Sequence, residues 1–205
     1  KIYFHNDGAM KCNPSTNTPA DSQYYYDKGL CIKKMQEQYF GQGVALTNNW
    51  ALIGAHGSKS AFLFKNNETW ANWNTTLAEE NAAFLLQESN AVSFGKAVAL
   101  TDNYALVGAP DARKAFIYQN TANLAWNTSA ICTLEPSVSG NFGHSVALNK
   151  KLAIIGNFDL MKVFIYEING NVCQQIAIFE ETLTNANAFG VSVALSENWA
   201  LIGAH

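Results

Sequence analysis

The residue types best suited to proton transfer or metal ligation are the four histidines, His5, His56, His144 and His205. His56 and His205 share a position of an internal repeat at which other copies carry Pro110 and Asn157. Two imidazoles placed in that way are either a zinc-ligand pair facing one another across a symmetric body or ordinary loop residues. The adjacent carboxylates Glu79-Glu80 and Glu180-Glu181 would point to opposite faces of a strand, so neither makes a catalytic dyad. No Gly-x-Ser-x-Gly, His-Glu-x-x-His or phosphate-cradling glycine loop occurs. The expectation is no catalytic set, no metal site, no cofactor and no enzymatic activity.

Recognition chemistry has more candidates. The segments His56-Gly57-Ser58-Lys59, Pro110-Asp111-Ala112-Arg113 and Asn157-Phe158-Asp159-Leu160 vary while their flanks repeat. Variable loops on a constant frame suit a binding rim or neutral drift, and His56, Asp111, Arg113, Asp159 and His205 are the residues expected to touch a ligand. Tyr24, Tyr25, Trp73 and Trp126 are aromatics outside the repeated strands. Their amphipathic rings suit a sugar or protein surface, or packing over sheet edges. Asn67, Asn74 and Asn127 each open an Asn-x-Ser/Thr triplet, a glycosylation acceptor in a secreted chain. Cys12 and Cys31 lie in a Pro/Ser/Thr/Asn-rich stretch and are a candidate disulfide. Cys132 and Cys173 fall in apolar runs, where a buried free thiol is the commoner state.

The bulk composition narrows the class. Of 205 residues, 48% are hydrophobic and 14% charged, with net charge −3 and one arginine, Arg113. That excludes a disordered chain and makes a nucleic-acid partner improbable. No apolar run approaches the ~18 residues of a membrane span. The strand-like Ile2-Tyr3-Phe4 at the start fits a mature processed chain or a trimmed one.

The elements that position these residues are set by a fourfold repeat. Phe40-Gly41-Gln42-Gly43-Val44-Ala45-Leu46 recurs as Phe94 to Leu100, Phe142 to Leu148 and Phe189 to Leu195, at spacings of 54, 48 and 47. Each copy is followed by a second segment, as in Trp50-Ala51-Leu52-Ile53-Gly54-Ala55 and Tyr104-Ala105-Leu106-Val107-Gly108-Ala109. The period is two, which predicts strands, bulky on one face (Phe40, Val44, Leu46) and smooth on the other (Gly41, Gly43, Ala45). Such strands suit sheets stacked face to face. Asn48-Asn49, Asp102-Asn103, Lys150-Lys151 and Glu197-Asn198 read as two-residue hairpin turns. Positive φ suits Asn and Asp there, and the lysine pair less well. Third strands centre on Phe62, Phe116 and Phe164, with fourth strands at Phe84, Ile131 and Ile176. Four antiparallel strands per unit of about 50 residues predict an all-β propeller. Four blades are expected, at about 40–92, 94–140 and 142–187, with 189–205 joined to 1–38 in a shared blade that closes the ring. The alternative is part of a larger propeller.

Phe-Gly, Val-Ala-Leu and Leu-Ile-Gly-Ala-(His/Pro), with one literal Gly108-Ala109-Pro110, resemble the FG-GAP repeat of integrin α-chain propellers and bacterial extracellular proteins. The resemblance implies a propeller with a recognition role outside the cytoplasm. The family's Asp-x-Asp-x-Asp-Gly calcium loop does not transfer, because the first hairpin turns hold at most one acid each. The expected function is an extracellular or secreted binding or assembly module, acting on a protein partner or on itself. The alternative is a lectin-like propeller that binds glycans, and a hydrolase or lyase is third.

Overall fold

The structure, a computed structural model, describes residues 39–65, 84–121, 125–137, 139–182 and 188–204, and the strands at 24–27 and 30–33. Among these there is no α-helix, and no helix long and apolar enough to cross a membrane. Three sheets have four antiparallel strands each. Sheet I contains β3 (Phe40–Leu46), β4 (Trp50–Ala55), β5 (Ser60–Lys65) and β6 (Phe84–Gln87). Sheet II contains β7 (Ala97–Leu100), β8 (Tyr104–Ala109), β9 (Lys114–Gln119) and β10 (Cys132–Leu134). Sheet III contains β11 (Ser145–Leu148), β12 (Leu152–Asn157), β13 (Lys162–Asn169) and β14 (Val172–Glu180). Sheet IV is the pair β15 (Ser192–Leu195) and β16 (Ala200–Gly203), and β1 (Tyr24–Asp27) pairs with β2 (Leu30–Lys33).

The sheets stack in chain order, and the alternation of large and small residues is the reason. In β7, Val98 and Leu100 turn toward sheet I, while Ala97 and Ala99 turn toward sheet III, paired with Gly108 and Leu106. Val146 and Leu148 of β11 repeat this toward sheet II, and Val193 and Leu195 of β15 toward sheet III. Each interface thus sets a bulky first strand against the smooth side of the sheet before it. The motif phenylalanines pack edge-on against third-strand rings of their own sheet. Phe40 meets Phe62 at 5.6 Å, Phe94 meets Phe116 at 5.4 Å and Phe142 meets Phe164 at 5.2 Å.

The motif glycines explain the close approach. A Cβ on Gly54, Gly108 or Gly156 would run into the carbonyl of Gly95, Gly143 or Gly190 in the next sheet. The Phe-Gly glycines themselves have φ between +87° and +94°, a region that side chains disfavour. The two halves of the repeat motif are therefore the two sides of one contact.

Three expectations are corrected. The first hairpin turns contain no positive φ. They are held instead by the side-chain oxygen of the residue before them. Asn149 Oδ1, for example, accepts from the N–H groups of Lys151 at 2.9 Å and Leu152 at 2.8 Å. Thr47, Thr101 and Ser196 act alike, so Lys150-Lys151 is no misfit. Second, Cys132 and Cys173 form a disulfide joining the fourth strands of sheets II and III, with Cα atoms 6.2 Å apart. Third, the repeat position of His56 is filled by Phe158, not Asn157. His56–Ser58, Pro110–Ala112 and Phe158–Leu160 form equivalent 3-10 turns. Cys12, and with it any Cys12–Cys31 pairing, lies outside the described residues, as do 1–23.

Candidate functional site

Two surfaces arise where the stacking stops. The outer face of sheet I presents Val44 and Leu46, 64% and 60% exposed. Their equivalents Val98, Leu100, Val146 and Leu148 pack against a preceding sheet. At the other end, β16 presents Leu201, 73% exposed, beside Trp199, 80% exposed. Their equivalents Trp50, Leu52 and Leu106 are buried against a following sheet. The glycines agree. A Cβ on Gly41 would meet nothing within 4 Å, and one on Gly203 would meet only Ser192 of its own sheet. The ring expected from the sequence would bring these two faces together at its seam. Lys1 to Phe4, the strand expected to complete that seam, lies outside the described residues.

One rim of the stack carries the loop residues singled out from the sequence. Ser93 donates a hydrogen bond to Asp111 Oδ2, and Asn141 Nδ2 donates to Asp159 Oδ2 at 2.7 Å. Both acids therefore brace the 3-10 turn against the residue preceding the Phe-Gly of their own sheet. Arg113 ends its turn at φ +57°, its N–H bonded to the Pro110 carbonyl at 2.9 Å. Lys59 and Met161 do the same at φ +51° and +52°. The backbone conformation is what repeats there, and the side chain is free to vary.

The imidazole of His56 stacks on Tyr39 at 4.4 Å, and that of His144 meets Phe158 edge-on at 4.7 Å. Both Nδ1 atoms are buried without a partner. Burial first, then the charge of Lys96, holds both below the usual histidine range. Asp111 opposes this at His56; a Val191 backbone hydrogen bond and then Asp159 oppose it at His144. The expected His56–His205 pairing is not assembled, since His205 lies outside the described residues.

Of the aromatic candidates, Trp126 alone has a described side chain. Trp126 is buried, packed edge-on against Trp50 at 5.7 Å. Trp73 and the acceptor residues Asn67 and Asn74 lie outside the described residues. Tyr24 and Tyr25 sit in β1, where only the strand is described. Asn127 is half-buried, its N–H bonded to the Gln119 carbonyl at 2.9 Å.

A feature missed in the sequence lies at the opposite end, between sheets I and II. The first-hairpin turns and the end of β9 enclose a cleft of about 400 Å³, lined by Asn49, Asp102, Asn103, Tyr104, Gln119 and Asn120 among others. Thr47 Oγ1 donates to Asp102 Oδ1 at 2.6 Å across the interface, and Asn120 Nδ2 donates to the Asp102 carbonyl at 2.9 Å. Asn120 Oδ1 is left buried and unpartnered. An unmet acceptor of that kind costs about 1–3 kcal/mol. The repeat position of Asn120 carries Asn66 in the first copy and Ile168 in the third, so no departure from the repeat marked it in the sequence.

No family model matches the chain, and no curated protein matches it. A glutaminyl cyclase from Myxococcus xanthus has a similar solved structure, with TM-score 0.47 and 9% identity over 82% of this chain and 62% of that one. The chain thus spans less than two thirds of that enzyme. The expectation that the chain is not an enzyme is corrected by this comparison: the similar structure belongs to an enzyme, and the non-catalytic assignment is withdrawn.

Proposed function

We propose that the sheets are consecutive blades of an FG-GAP-type β-propeller, and that the chain is an assembly module acting through its two open faces on a second copy of itself. One observation carries this reading. The Val44/Leu46/Gly41 face and the Trp199/Leu201/Gly203 face are the two unused halves of an interface that the chain makes internally between each successive pair of sheets. Such halves fit head to tail, a heterologous contact that grows into a ring if the rotation closes and into a filament if it does not. Exposed apolar area of this kind is uncommon on an isolated body unless it serves an interaction. The disulfide between Cys132 and Cys173 supports a location outside the reducing cytosol.

Sedimentation across a concentration series tests the reading. Reversible growth beyond the monomer is expected, and it should be lost in Leu201→Asp and in Gly203→Val, each with an unchanged melting temperature. A wild-type chain that stays monomeric throughout would overturn it. So would assembly that both variants leave intact, which would point to another face or to a different protein partner.

A further inference from the structure

The two incomplete sheets, at opposite ends of the described chain, hold complementary strands. β15 and β16 are the first and second strands of the fourth repeat, and they pair only with each other. β1 and β2 likewise pair only with each other, and they stand where a third and a fourth strand would precede sheet I. The spacing agrees. Phe40 follows the end of β2 at Lys33 by seven residues, as Phe94 follows the end of β6 at Gln87 by seven. Phe142 follows Leu134 of β10 by eight, and Phe189 follows Glu180 of β14 by nine. Two residues join β1 to β2, as two join β13 to β14.

The edge of β16 is the place such a hairpin fits. The Trp199 carbonyl accepts from the Ser196 N–H at 2.8 Å, and the Gly203 carbonyl from the Gly190 N–H at 2.9 Å. Alternation therefore turns the backbone groups of Ala200 and Ile202 away from β15. The equivalent strands β4, β8 and β12 are covered along that edge by the third strands β5, β9 and β13. A strand edge left uncovered is a template for another strand. The tether is long enough. The six residues 34–39 between β2 and β3 span at most about 20 Å, and stacked sheets lie roughly 10 Å apart. A sheet I stacked on the sheet IV of another copy thus brings its own hairpin within reach of that copy's β16.

We propose that the β1–β2 hairpin of one copy completes sheet IV of the copy before it, giving the order β15-β16-β1-β2 across the junction. The pairing rests on the assembly of end faces described above and adds a backbone ladder to it. Hydrogen–deuterium exchange of the full chain tests it, read on 24–27, 30–33 and 199–204 below and above the onset of growth. In the assembled state exchange should slow about tenfold or more at 199–204 and at 24–27, and much less at 30–33, where β2 remains the sheet edge. Growth with 24–27 unchanged would overturn the pairing and leave the stacking of end faces standing. Full protection of both segments in the dilute chain would assign the hairpin to its own sheet IV and overturn exchange between copies. A chain that never grows would overturn the pairing together with the assembly. Ile202→Pro is the second arm. Proline is tolerated where the N–H faces solvent at a sheet edge, but it removes a donor from the junction, so growth should weaken about tenfold or more. Wild-type growth in that variant would also overturn the pairing, and the exchange pattern of the unaltered chain decides the question if the proline disturbs the fold.

Discussion

Gly108→Val places a side chain where the interface between sheets II and III leaves no room. The new Cβ would run into the Gly143 carbonyl oxygen and stand 3.0 Å from the carbonyl carbon. The obstacle is backbone and cannot swing aside. Gly143 is fixed at φ +94° and its N–H is bonded to the Gly156 carbonyl at 3.2 Å. Relief requires the sheets to separate, which loosens Leu106, Phe142 and Leu148 from one another. Overpacking of this type costs about 1–3 kcal/mol, and a rigid backbone obstacle places the change at the upper end. Valine's better fit to a pleated strand works in the opposite direction, so the measured loss is net of that gain. At roughly 2–4 °C per kcal/mol for a chain of this size, the melting temperature should fall by about 6–12 °C.

The control is Gly203→Val, the same repeat position in sheet IV. There the only neighbour is the Ser192 side chain, which can turn away. A change within about 0.5 kcal/mol is expected. Thermal melts followed by near-ultraviolet circular dichroism, at a concentration where the chain is monomeric, measure both. Equal melting temperatures for the two variants would refute the claim that the repeated glycines mark contacts between sheets.

Two further perturbations follow from the same structure. Replacing both Cys132 and Cys173 by serine opens a loop of 41 residues, which the chain-entropy relation values at about 4 kcal/mol; equal urea midpoints for variant and wild type would contradict that. His56 and His144 have folded-state affinities for protons depressed by burial and by Lys96. Acidification from the unfolded value near 6.5 therefore loads protons onto the unfolded chain first, and stability is lost as pH falls through that point. Melting temperatures measured between pH 8 and pH 5 should drop below about 6.5, with a shallower drop in Lys96→Met and the shallowest when both histidines are replaced by glutamine.

The parts of the fold that were legible in the sequence are those that recur. A period of two, with Val98 and Leu100 opposite Ala97 and Ala99, fixes both the strands and the side each turns to its neighbour, because only one register buries the large residues. What escaped depends on contacts between copies or on the exact alignment of one copy with another. Cys132 and Cys173 sit in apolar runs of different repeats, and nothing local shows that stacking brings their strands side by side. The turn at Lys150-Lys151 looked unfavourable because the two central residues were weighed alone, whereas Asn149 just before them supplies the hydrogen bonds. Aligning the loops instead of the glycines slipped Asn157 into the place of Phe158 and left His56 without its true counterpart.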